Sequence, residues 1–150
     1  MRTDDHAGAL DCYRAAIAQR LFAIGREGGE PDPADLRATA MLHGMVGDLL
    51  RARGDMDSAV DAHRSALEVF KHLLESAPDN ALWRYLLAQA LDTLAAALAD
   101  SGRTEEAAAV LEQCVEIASA LEDAAPANRR YAELRDAAAG RLAELHGDPG

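Results

Sequence analysis

Between Gly54 and Leu134 the chain repeats itself every 48 residues. Gly54, Ala59, Leu67, Val69, Leu73, Pro78, Asn80, Trp83 and Leu86 recur as Gly102, Ala107, Val115, Ile117, Leu121, Pro126, Asn128, Tyr131 and Leu134. A period this long describes a stack of helical hairpins, each burying its apolar face against the next rather than around a single centre. The expected fold is all-α, with no strands and about six helices.

Composition agrees with that reading. The apolar content is mostly Ala and Leu, only 4% of residues are aromatic and β-branched residues are few, which favours closely packed helices over sheets. A net charge of −11, with no cluster of Lys and Arg, argues against nucleic acid and anionic membrane surfaces, since binding either requires a basic patch. Met1 to Gly8 carries no signal-peptide pattern and no apolar run is long enough for a membrane span, so the chain reads as cytoplasmic. Cys12 and Cys114 have no CxxC partner and are expected to be small core residues.

Punctuation divides the chain into helices. The first is expected from about Asp5 to Arg26, with Leu10, Tyr13, Ile17, Leu21 and Ile24 along one stripe. Gly28 to Pro33 ends it and opens a second from about Ala34 to Arg53. Gly54-Asp55 turns the chain into a third, about Asp57 to Ala77, and Pro78-Asp79-Asn80 separates it from a fourth, Ala81 to Asp100. After Ser101-Gly102-Arg103, Thr104 is the expected cap of a fifth helix that ends near Ala125. A sixth runs from about Asn128 to Leu145, and His146 to Gly150 is expected to fray. Ala9-Leu10-Asp11, Arg14, Ala16 and Ile17 match Ala59-Val60-Asp61, Arg64, Ala66 and Leu67 at an offset of 50. The chain therefore reads as one domain: half a repeat (5–27), two whole repeats (34–78 and 81–126) and a half repeat or capping helix (128–146).

Val46-Gly47, Leu50, Gly54-Asp55, Ala59 and Ala66, echoed by Leu94-Ala95, Leu98, Gly102, Ala107 and Cys114, resemble the tetratricopeptide repeat, a helix-turn-helix unit normally of 34 residues. Each helix here is longer by seven residues, about two turns, which keeps its apolar stripe in phase. The resemblance implies a right-handed superhelical stack of antiparallel hairpins. It also implies a concave face, lined by the first helix of each hairpin, on which peptides or partner helices lie.

That face should carry Arg37, Met41, Gly44, Asp48 and Arg51, then Tyr85, Gln89, Asp92 and Ala96, then Glu133, Ala137, Gly140 and Glu144. Leu42, Val46, Leu49 and Leu50, with Leu86, Ala90, Leu94 and Leu98, fall on the opposite, core side. The outward stripe suits a protein or peptide partner of basic or mixed charge, and it equally describes an ordinary solvated face. His6, His43, His63, His72 and His146 contain no i, i+4 pair and no HExxH, so no metal is implied; His43 and His63 fit a hairpin interior better. No catalytic motif is present, no cofactor is implied, and the chain is read as a non-enzyme.

Three functions are compatible with these residues. The first is an interaction module or adaptor. The second is a structural homo-oligomer joined through uncovered repeat ends, with Leu10, Tyr13, Ile17 and Leu21 as the contact, because the first helix lacks the hairpin partner that would precede it. A ligand-sensing domain of a bacterial regulatory protein is the third.

Overall fold

The computed structural model describes residues 3–147, which lie in six helices joined by short turns, with no strand among them. These are α1 (Thr3–Glu27), α2 (Pro33–Ala52), α3 (Met56–Ser76), α4 (Ala81–Asp100), α5 (Thr104–Ala124) and α6 (Arg129–Leu145). The expected fraying of the last residues falls mostly on 148–150, outside the described residues.

Local chemistry sets each boundary. Asp32 caps α2 by accepting from the Ala34 N–H at 2.8 Å, and Pro33 follows as the first helical residue, where a missing N–H costs nothing. Asn80 caps α4 by accepting from Trp83 N–H at 3.1 Å, and Asn128 caps α6 by accepting from Arg130 N–H at 3.2 Å. Helices α2 and α4 end alike. Gly54 and Gly102 both take φ of 83°, a left-handed conformation that side chains disfavour, and the next N–H turns back to Leu50 O at 3.0 Å or Leu98 O at 2.9 Å.

The second of these turns corrects the expected start of α5. Because Arg103 N–H is committed to Leu98 O, the capping position falls on Arg103, whose carbonyl accepts from Ala107 N–H at 3.0 Å. Thr104 is simply the first helical residue.

The chain forms two compact units, the first ending at Leu73 and the second beginning at Leu74. In the first, Leu10 and Ile17 of α1 join Val46 and Leu50 of α2 and Ala59 and Ala62 of α3 in one cluster, flanked by Tyr13, Leu42 and Leu49. For Leu10 and Ile17 this corrects the expectation that part of the α1 stripe is uncovered. Leu10 and Ile17, two helical turns apart, present one face to the apolar stripe of α2, and they retain only 3% and 8% of their exposure. Leu21, one turn further along, is 53% exposed, and its neighbour Phe22 is 67% exposed. Cys12 also departs from its expected core role: it sits on the solvent side of α1 and is exposed.

In the second unit α4 packs against both α5 and α6. Its buried arc is consequently turned toward Leu87, Ala88 and Leu91 as well as Leu94 and Leu98, leaving Leu86 and Ala90 half-buried where they were expected at the centre. Ala107, Leu111, Cys114, Ala118 and Leu121 of α5 complete the core, with Tyr131 and Ala138 of α6. Burying a Leu side chain fully contributes about 1.5–3 kcal/mol, so these rows supply the main stabilisation of each unit.

Small residues set the spacing of the helices. Ala59 and Ala107 are both wholly buried, each at the first turns of the second helix of its hairpin. Replacing either with Leu adds three heavy atoms to a filled space and should cost about 1–3 kcal/mol, whereas Glu112→Gln on the exposed side should stay within about 0.5 kcal/mol. Urea denaturation of the three variants checks this, and equal stability of all three would contradict the packing described here.

Candidate partner-binding faces

On α2 the sequence-derived stripe is outward. Arg37, Met41 and Asp48 are exposed, and Gly44 and Arg51 are half-buried. Met45, which the sequence reading passed over, adds to it: Met41 and Met45 lie one turn apart and are 47% and 42% exposed. Their i, i+4 spacing was the available signal. Two neighbouring exposed thioethers make a soft apolar contact that adapts to differently shaped partners.

Behind this stripe lies an unusual packing detail. A Cβ at Gly47 would stand 2.5 Å from His63 Nε2, so the imidazole of α3 occupies the notch that glycine leaves on α2. His63 is 2% exposed, and its Nε2 lies 3.6 Å from Asp48 Oδ1. Burial holds this imidazole below its ordinary range; Asp48 opposes that effect and Arg51 reinforces it. The half-buried His43 is lowered by burial alone.

The α4 and α6 stripe behaves differently. Tyr85 packs on Tyr131 with ring centroids 5.6 Å apart, and Gln89 donates to the Tyr85 hydroxyl at 3.1 Å. Asp92 was expected on the partner-binding face. Arg141 of α6 donates to its Oδ1 at 2.9 Å, and the Asp92 side chain is only 16% exposed. Burial pushes its carboxyl up, with Arg141 pulling the other way. Arg141 was not singled out from the sequence, since nothing local links it to a residue on another helix. Ala96 is half-buried, while Gln89, Glu133, Ala137, Gly140 and Glu144 are exposed.

Beneath this pair, Cys114 Sγ donates to Ala88 O at 3.2 Å. Burial first and Asp92 second push its thiol up to about 12, so it is a packing residue rather than a nucleophile. No group of three or more His, Cys, Asp or Glu side chains placed to hold a metal occurs among the described residues. Nor, among those residues, is any helix long and apolar enough to cross a membrane.

The fold and these outward stripes define the class: an all-α helical-repeat protein. Residues 87–122, from the first turns of α4 through most of α5, match the family model described as tetratricopeptide repeat. The α4–α5 hairpin is therefore the part of the chain that is similar to a tetratricopeptide repeat. Comparison with curated proteins and with solved structures gave no match.

Removing Arg141 exposes the consequence of its pairing. Arg141→Ala leaves a largely covered carboxylate unpaired and should cost about 1–3 kcal/mol at neutral pH. Because the folded-state pKa of Asp92 is raised, ionisation is what the fold penalises, so the loss should be fully present above the Asp92 titration and fade as pH falls toward 3.8 and below. Denaturation of Arg141→Ala and of Arg141→Ala/Asp92→Asn checks this: the double variant should recover part of the loss, and a loss independent of both pH and Asp92 would contradict it.

Proposed function

We propose that this chain is a protein-interaction module whose α2 face holds a helix or extended peptide of basic or mixed charge. Tetratricopeptide repeats as a class bind proteins and peptides, and the repeat match makes that class the starting point. The observation that carries the finer reading is the exposed pair Met41 and Met45, set between Arg37 and Asp48 on one face of α2. Apolar contact flanked by one charge of each sign suits an amphipathic partner better than it suits a purely solvated surface. Asp48, 64% exposed in its side chain, is the carboxylate available to a basic residue there, whereas Asp92 is engaged by Arg141. The exposed Gln89, Glu133, Ala137, Gly140 and Glu144 of the α4 and α6 face extend the reading to the second unit by analogy only.

The test is direct. Partial burial of two methionines on binding is worth more than about 1.4 kcal/mol, so Met41→Asp/Met45→Asp should weaken partner capture by at least tenfold while the helical circular-dichroism signal stays unchanged. Partners that bind this variant as tightly as the parent would refute the α2 reading.

A second reading is favoured by α1. Leu21 and Phe22 are exposed, and Ala16, Gln19, Arg20 and Ala23 line an open groove of about 320 Å³ closed on one side by Asp35 of α2. Leu21 and Phe22, which do not line that groove, suit self-association or a neighbouring domain, so the contact is now centred on them rather than on Leu10 and Ile17. Light scattering decides it: self-association should weaken in Leu21→Asp/Phe22→Asp, and a parent that is monomeric at every concentration excludes the homo-oligomer.

A further inference from the structure

His63 Nε2 is buried and makes no hydrogen bond. Packing does not require a nitrogen there. Forty-eight residues on, the corresponding pair is Ala95 and Leu111, both 1% exposed, so an aliphatic side chain serves the other hairpin at this position. An imidazole in this place therefore leaves a buried polar atom unsatisfied that an aliphatic side chain would not. Its nearest acceptor is Asp48 Oδ1 at 3.6 Å, beyond hydrogen-bond reach but within reach of an ion pair. The Asp48 side chain is 64% exposed, whereas His63 is packed against the Gly47 notch.

We propose that His63 and Asp48 form a proton-operated latch: a proton taken up at His63 Nε2 draws the Asp48 carboxylate inward from the outer face of α2, and a basic partner is released. The consequence for the partner rests on the α2 reading above; the latch itself does not. On protonation Nε2–H becomes a charged donor, and Asp48 swings from 3.6 Å to a charge-assisted contact of about 2.8 Å. Asp48 and Arg51, both on α2, are the charged groups acting on the imidazole, the first favouring the proton and the second opposing it. Burial opposes it most, which keeps the latch open at neutral pH and closes it below 6.5. Since the folded state binds this proton less readily than the unfolded chain, stability is fully present above 6.5 and declines as pH falls from there toward the lowered folded value. One proton gained per partner released means that affinity falls by up to about tenfold per pH unit below the His63 midpoint.

The experiment follows the His63 ring and the Asp48 side-chain carboxyl by NMR in the full chain as pH is lowered through 6.5. The latch predicts a second inflection of the Asp48 carboxyl at the His63 midpoint, and a lower His63 midpoint in Asp48→Asn. An Asp48 signal blind to His63, or an unchanged midpoint in Asp48→Asn, overturns it without touching the α2 reading. Binding of a synthetic amphipathic Leu/Lys helix supplies the partner arm. Its affinity should fall with acid in the parent, and should lose that dependence in Asp48→Asn and in Gly47→Ala/His63→Leu, which copies the Ala95 and Leu111 arrangement. If the NMR signatures appear while the peptide binds the parent equally at every pH, the release step is overturned together with the α2 reading.

Discussion

Close approach of helices within each hairpin is the constraint on which every other feature rests. Ala59 and Ala107 vanish completely from the surface, and Gly47 offers no side chain at all, so the second helix can seat itself against the first. Once the axes are that close, the rows of Leu on either side exclude water and stabilise the pair. Only then do outward residues acquire fixed positions. Met41, Met45 and Asp48 share a face because the opposite side of α2, with Val46, Gly47 and Leu50, is pinned against its neighbours.

The two hairpins solve the same spacing problem with different pairs. Glycine against imidazole in one, and Ala95 with Leu111 at the corresponding places in the other, distribute volume differently between facing helices. Interiors are packed as tightly as organic crystals, so such swaps are tolerated when total volume is conserved. This explains how the repeat persists while its residues change. It also explains how one hairpin acquired a titratable group where the other has none.

Much of this was legible in the sequence because it is local. A Gly needing a positive φ, an Asn capping the next helix and an apolar spacing of three or four are all set by neighbours in the chain, and Gly54, Gly102, Asn80 and Asn128 act as their types predict. What escaped depends on partners distant in sequence. Arg141 meets Asp92 across 49 positions, which spacing along either helix does not reveal. Part of the α1 stripe was expected to be open because a hairpin partner was missing, yet α2 and α3 cover Leu10 and Ile17. Cys12 was assigned to the core by residue type, and only the direction in which α1 turns its faces placed it outside. Thr104 had the right chemistry for a cap, but the Gly102 turn committed the preceding residue first.

The central claim, that complementary side-chain volumes set the distance between helices, is tested most directly by a double-mutant cycle at the notch. Gly47→Ala places a Cβ against a ring that cannot withdraw, and should be destabilised by about 1–3 kcal/mol. Adding His63→Leu, the residue type found at Leu111, should restore much of that loss, giving a favourable coupling in chemical denaturation at neutral pH. If the two changes are simply additive, so that the double variant is no more stable than Gly47→Ala, then the imidazole does not fill the glycine notch and the helix spacing must have another cause.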